Sequence, residues 1–116
     1  MKQAYQPLFT PWKIGKVAIK NRIVMCSMGG TSIFGWMEPN HFDREAANFL
    51  LERAKNNVGL LLPGIAPIRD PMGGRWLYQN PAKFKALKAF MEEFHKTGAK
   101  LFIQLTAGFG RAMAVN

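Results

Sequence analysis

The sequence predicts an α/β fold built on a parallel β-sheet, and three observations support this prediction. Continuous apolar runs occur at residues 23–25, 58–62 and 101–105, a pattern typical of strands that are covered on both faces. An amphipathic segment of helical length lies between each run and the next. Because the order strand, helix, strand, helix, strand requires right-handed crossovers, we expect the three strands to run parallel.

Length and composition indicate at most one domain with an ordinary apolar core. The chain has 116 residues, and its 48% hydrophobic content argues against disorder. The single cysteine, Cys26, excludes an internal disulfide framework and a cysteine-based metal cluster, which favours a reducing compartment. We find neither a signal peptide nor an apolar stretch of the roughly 20 residues that span a bilayer. We therefore expect a cytoplasmic protein with no membrane partner.

The formal net charge of +9 is the one unusual feature of the composition. Basic residues that alternate with apolar ones are typical of the solvent-exposed side of amphipathic strands and helices. We interpret most of the basic residues of this chain in this way. The residues concerned are Lys13, Lys16, Lys20, Arg22, Lys83, Lys85, Lys88, Lys96 and Lys100. A small basic nucleic-acid-binding module is the alternative. A second alternative is an inactive truncated product. Because we interpret most of the charge as surface charge, we expect no nucleic-acid partner.

The first part of the chain predicts an extended lead-in followed by a β-hairpin. Prolines are expected to hold residues 1–11 extended along a core rather than helical. Residues 12–14 and 17–19 alternate polar and apolar side chains around Gly15-Lys16, a glycine-containing link typical of a hairpin. Residues 21–25 then form the first buried strand.

Small residues follow the first two predicted strands. Residues 26–30 read C-S-M-G-G, and residues 63–67, predicted as a turn, read P-G-I-A-P. Small side chains at the carboxyl end of a strand allow a flat ligand to approach the backbone closely. For Cys26 itself, a small buried thiol is the interpretation that we prefer over a redox role.

Two helices are predicted between the strands. The first runs from an N-cap at Asn40 to about Asn56, with Asp43 in its first turn. Its apolar stripe consists of Phe42, Ala46, Phe49, Leu50 and Ala54. The second opens at Asn80-Pro81 and closes at Gly98. Its buried stripe consists of Phe84, Leu87, Met91 and Phe94, with Phe90 at the margin.

The third strand, residues 100–105, carries Gln104. A neutral amide donates and accepts hydrogen bonds at once, which suits the edge of a ring with adjacent carbonyl and N–H groups. A glutamine that satisfies loop backbone is the alternative. His41 has no second His or acidic ligand at metal spacing, so we expect no metal site. His95 lies near the carboxyl end of the second helix, where it suits the helix dipole, so we assign it no catalytic role.

Three strands with helices on one side leave one sheet face bare. A doubly wound domain or a (β/α)8 barrel would need more chain to cover that face. A barrel takes about 250 residues, so this chain would be its opening portion.

Several motifs occur in an order and spacing that resemble one family. They are L-F-T-P at residues 8–11, K-N-R-I-V-M at 20–25, V-G-L at 58–60, Q-L at 104–105 and G-R at 110–111. Over residues 8–111 the chain resembles the opening of the Old Yellow Enzyme family of FMN-dependent ene-reductases. Ser27-Met28 and G-I-A-P at residues 64–67 are most similar to 2,4-dienoyl-CoA reductases and related NADH:flavin oxidoreductases.

The resemblance implies the amino-terminal portion of a (β/α)8 TIM barrel, with residues 1–116 as an incomplete part of a single FMN-binding domain. It also implies a partial flavin site formed by Cys26, Ser27, Met28, Gly29, Gly64 and Gln104. The first four match the segment whose backbone runs against the flavin ring, and Gly64 matches the small residue beneath it. Gln104 matches the glutamine that binds the pyrimidine part of the ring. One departure is that residues 104–111 lack the histidine of the family's Q-L-x-H-x-G-R and are one residue longer.

The chemistry implied is hydride transfer from NAD(P)H through FMN to the C=C bond of a small-molecule α,β-unsaturated carbonyl, enoyl or dienoyl substrate. The family's catalytic residues lie on later strands, so we assign none here and expect the 116-residue chain to be inactive by itself. A 4Fe-4S cluster would belong only to a longer parent chain. The oligomeric state stays open.

Overall fold

The computed structural model describes residues 2–34, 42–69 and 75–107. Its strands are β1 (Trp12–Ile14), β2 (Val17–Ile19), β3 (Val24–Met25), β4 (Leu60–Leu61), β5 (Ala66–Pro67), β6 (Lys100–Leu101) and β7 (Leu105–Thr106). Its α-helices are α1 (Arg44–Lys55) and α2 (Pro81–His95), and short 3-10 helices cover Gln3–Phe9 and Leu77–Gln79. Within these ranges, no helix combines the length and the apolar character that crossing a membrane requires.

The central sheet is parallel, as predicted. β4 lies between β3 and β6, and the register pairs Val24 with Leu60 and Leu60 with Lys100. The expectation that the first strand is covered on both faces is wrong, because Val24 is 37% exposed. Helix α1 packs against β4 and contacts α2. Leu60 and Leu61, whose side chains point to opposite faces of the sheet, are both buried.

A second parallel ladder lies just beyond the first. β5 pairs with β7, with Ala66 opposite Leu105. Residues 63–67 are therefore not wholly a turn, and residues 100–105 are not one continuous strand. The N–H of Ala66 donates to the carbonyl oxygen of Gln104 at 2.8 Å, which starts the second ladder.

The hairpin of β1 and β2 is antiparallel and confirms the prediction. The prediction of an extended segment before the hairpin is wrong, because Gln3–Phe9 forms a 3-10 helix that contains Pro7. None of its residues is buried. The fixed φ of proline, about −65°, suits 3-10 dihedral angles as well as extended ones. The proline pattern therefore did not distinguish the two conformations.

Helix α1 begins later than predicted. Its N-cap is Asp43, whose Oδ1 accepts a hydrogen bond from the N–H of Ala46 at 3.0 Å. The predicted cap, Asn40, and His41 lie outside the described residues. The buried side of α1 is wider than the predicted stripe, since it consists of Ala46, Ala47, Leu50, Leu51 and Ala54. These residues pack against Leu61 of the sheet and against α2.

Helix α2 opens at Asn80-Pro81 as predicted, and the turn after it contains Gly98 at φ +81°. Its buried face is rotated from the predicted stripe: Phe90 is 1% exposed, whereas Phe84 is 42% exposed. Phe84 instead lines an apolar groove beside Phe34 and Trp76. The prediction that Lys83 is exposed to solvent is wrong, since it is 4% exposed. It is buried because it shares a helix face with Phe90 and Phe94.

The amino edge of the sheet is held by the K-N-R sequence before β3. Lys20 Nζ donates to the carbonyl oxygen of Thr97 at 2.9 Å, so this lysine also bridges elements. Asn21 is 3% exposed, and its Nδ2 donates to the carbonyl oxygen of Asn57 at 2.7 Å. Its Oδ1 accepts from the N–H of Ile23 at 3.1 Å. These bonds align the start of β3 with the turn that leads into β4.

Candidate functional site

A cleft opens where the chain leaves the carboxyl ends of the parallel strands. Its volume is about 380 Å³, which lies in the range of small-molecule sites. The lining residues are Ser27, Met28, Gly29, Gly30, Ser32, Gly64, Ile65 and Gln104. The cleft therefore combines the turn after β3, the turn after β4 and the segment between β6 and β7.

Most of the residues that the sequence singled out meet in this cleft. Ser27, Met28, Gly29, Gly64 and Gln104 all line it, although they come from three separate segments. Cys26 does not line it, and its exposure corrects the expectation of a buried thiol.

Three side-chain hydroxyls attach the first turn to the second. Ser27 Oγ donates to the carbonyl oxygen of Pro63 at 2.8 Å. Thr31 Oγ1 accepts from the N–H of Gly64 at 2.9 Å, and Ser32 Oγ donates to the carbonyl oxygen of Ile65. Residues 63, 64 and 65 of the second turn therefore each form a hydrogen bond with a hydroxyl of the first turn.

Sequence reasoning missed Thr31 and Ser32. The available signal was the pair of hydroxyl residues directly after Gly29-Gly30, since Ser and Thr in turns commonly bond nearby backbone. Their partner, however, lies more than thirty positions away in the sequence. A local sequence pattern therefore could not predict which backbone groups these hydroxyls bind.

The two turns approach so closely that Gly64 has no room for a side chain. A Cβ at this position would lie 2.9 Å from the carbonyl oxygen of Met28 and 3.0 Å from the backbone nitrogen of Ser32. Glycine is therefore required here by backbone packing. The wall of the cleft at Gly64 consists of main chain, which presents a flat surface.

Gln104 contributes the amide of the site. Its backbone oxygen is used by Ala66, but its side chain is exposed and has no hydrogen-bond partner within the described residues. This observation disfavours the alternative in which the glutamine satisfies loop backbone. The amide lies in the lining of the cleft.

The described part of the cleft lining is uncharged. None of the described residues that line the cleft has an ionisable side chain. Elsewhere in the described part of the chain, no three His, Cys, Asp or Glu residues are grouped so that they could hold a metal ion. Hydroxyls, main chain and one amide suit a flat uncharged ring better than a phosphate group or a cation.

Comparison with known proteins places the chain in a family. The model of the NADH:flavin oxidoreductase / NADH oxidase family matches residues 7–115. This chain belongs to that family. The match covers nearly the whole chain and confirms the resemblance inferred from the motifs.

Individual members of the NADH:flavin oxidoreductase family show how much of a relative the chain represents. Cinnamate reductase from Clostridium sporogenes is 36% identical over 118 residues, covering 96% of this chain but 17% of the relative. The Old Yellow Enzyme from Pichia sp. AKU4542 is 25% identical, with a TM-score of 0.62 over 85% of this chain and 26% of that structure. Morphinone reductase in complex with tetrahydroNAD is 23% identical, with a TM-score of 0.62 over 87% and 27%.

These likenesses bear out the predicted fold. The described strands and helices correspond to the amino-terminal portion of a (β/α)8 barrel. The chain spans less than a fifth of the curated relative and about a quarter of the two solved structures.

Proposed function

We propose that residues 1–116 form the amino-terminal part of one FMN-binding (β/α)8 barrel. The activity proposed for the whole protein is that of an FMN-dependent NAD(P)H oxidoreductase of the ene-reductase type. The observation that supports this most directly is the meeting of Ser27, Met28, Gly29, Gly64 and Gln104 in one neutral cleft. The carboxyl edge of a parallel barrel is where enzymes of this fold place their sites.

The residues of the cleft fit an isoalloxazine ring. Its pyrimidine part alternates carbonyl and N–H groups. The amide of Gln104, which has no partner among residues 2–34, 42–69 and 75–107, can donate to the first and accept from the second. Gly64 leaves a main-chain wall against which a flat ring can lie. In this proposal, Cys26 takes part through its backbone only, because its side chain is outside the cleft lining.

The substrate proposed is a small molecule with an alkene conjugated to a carbonyl group. The name of cinnamate reductase, which acts on a compound of this kind, supports that class. The tetrahydroNAD bound to morphinone reductase supports a nicotinamide donor. Bound FMN would supply the hydride chemistry. The residues of this chain would bind the ring and orient it. Among the described residues that line the cleft, none has an ionisable side chain that could serve as a proton donor.

The test is made on the full-length gene product. We expect it to be purified with about one FMN per chain, to be bleached by NADH or NADPH without oxygen, and to be reoxidised by cinnamate. A panel of other enoates, enones and enoyl-CoA thioesters then defines the substrate class. A protein that takes up no FMN would contradict the proposed site. A flavin that nicotinamide reduces but no conjugated alkene reoxidises would contradict the ene-reductase activity alone.

A further inference from the structure

One buried hydroxyl connects two walls of the cleft. Thr31 is 3% exposed, and its Oγ1 donates to the carbonyl oxygen of Met28 at 2.9 Å. The same oxygen accepts from the N–H of Gly64 at 2.9 Å. A single side chain therefore links a carbonyl of the first turn to an N–H of the second, and both partner residues line the cleft.

We infer that Thr31 is a positioning residue for the flavin. This inference rests on the proposed function, and it adds a residue that does not itself line the cleft. Within the described residues, Thr31 is the only hydrogen-bond partner of the Gly64 N–H and of the Met28 carbonyl. Without the hydroxyl, the Gly64 N–H would be buried and unpaired, and the two walls would relax apart.

The distance between the backbones of Met28 and Gly64 should depend on the Thr31 hydroxyl. The contact between Gly64 and the turn of residues 28–32 leaves no space for even a methyl group. A ring bound against both Met28 and Gly64 requires their backbones to keep this separation. The loss of the Thr31 hydroxyl should therefore alter the fit of the ring in addition to the stability of the protein.

The chain contains a matched control for this side chain. Thr97 Oγ1 donates to the carbonyl oxygen of Phe94 at 2.8 Å and accepts from the N–H of Ala99 at 3.2 Å. The bond to the carbonyl three residues earlier is the same as in Thr31. Thr97, however, precedes β6 and lies at the opposite edge of the sheet from the cleft. Its replacement removes the same kind of bonds away from the proposed ligand.

The experiment compares Thr31→Val, Thr31→Ser and Thr97→Val in the full-length protein. The measurements are the Kd for FMN by fluorescence quenching, the absorption spectrum and midpoint potential of bound flavin, and the melting temperature. We expect Thr31→Val to raise the Kd about tenfold, equivalent to about 1.4 kcal/mol, and to shift the spectrum and potential. Thr31→Ser keeps the hydroxyl and should retain the wild-type Kd within about twofold. Thr97→Val should lower the melting temperature and leave the FMN measurements unchanged.

Each outcome bears on the inference. A Thr31→Val protein with wild-type Kd, spectrum and potential would overturn it, as would a Thr97→Val protein with equally altered flavin properties. If Thr31→Val does not fold, the Thr31→Ser variant decides, because loss of FMN binding there would show that the hydroxyl is not what matters. Wild-type protein that binds no FMN would refute the proposed function, and this inference with it.

Discussion

Gly64 and Met28 are in backbone contact across the cleft, and a methyl group on Gly64 would stand 2.9 Å from the Met28 carbonyl oxygen. We expect Gly64→Ala to force the two turns apart, since neither contacting atom belongs to a flexible side chain. The expected loss is about 1–3 kcal/mol of stability, with a clear weakening of FMN binding. Thermal denaturation and FMN titration of the full-length protein measure the two effects.

Gly29 is the control for stability. An added Cβ there has no neighbour within 4 Å, so Gly29→Ala should leave the melting temperature unchanged. Equal destabilisation by both alanines would contradict the proposed backbone contact.

Gln104 allows binding and stability to be separated. Its side chain is exposed and has no partner in the described part of the chain, so Gln104→Ala should leave the melting temperature of the apoprotein unchanged. If the amide binds the ring, its removal should weaken FMN binding by about 1 kcal/mol, roughly fivefold. Titration of the apoprotein with FMN measures this difference. An unchanged Kd would remove Gln104 from the proposed site.

Asn21 is expected to be important for folding. Replacement by alanine leaves the carbonyl of Asn57 and the N–H of Ile23 without their side-chain partners. Because Asn21 is buried, we expect a loss of about 2–3 kcal/mol in the free energy of unfolding, measured by denaturant titration. The neighbouring Arg22 is exposed, and within the described ranges its side chain bonds only to the hydroxyl of Thr10, so Arg22→Ala should cost less than about 0.5 kcal/mol. Similar losses for the two variants would argue against this role.

Asp43 tests where α1 begins. Asp43→Ala removes the side-chain bond to the N–H of Ala46 and should lower stability by about 1 kcal/mol. Asp43→Asn keeps an accepting oxygen at the cap and should change stability by less than about 0.5 kcal/mol. Thermal unfolding monitored by circular dichroism distinguishes these outcomes. Equal behaviour of the two variants would place the start of the helix elsewhere.

Local patterns explain the successful predictions. The apolar runs around Leu60 and Leu101 predicted parallel strands, and the Asn80-Pro81 pair predicted the start of α2. The alternation on both sides of Gly15 predicted the hairpin. In each case the sequence signal lies within a few residues, in the composition or the period of one segment, even where the strand pairs with a distant partner.

The errors arise where two conformations suit the same local pattern. Pro7 is compatible with extended chain and with a 3-10 helix, and the structure contains the latter. Asn40 and Asp43 are both good N-caps, and the hydrogen bond to Ala46 shows that Asp43 caps α1. Phe84 and Phe90 are equally apolar, and the direction in which α2 packs decides that Phe90 is buried.

The sequence by itself determined the parallel α/β order, the family and the residues after each strand that could form a site. Only the tertiary structure decided that Ser27, Thr31 and Ser32 bind the backbone of residues 63–65 and that the amide of Gln104 has no partner among the described residues. The physical reason is distance along the chain. Periodicity and turn chemistry act over a few residues, whereas a hydrogen bond between positions 31 and 64 exists only after the strands have paired.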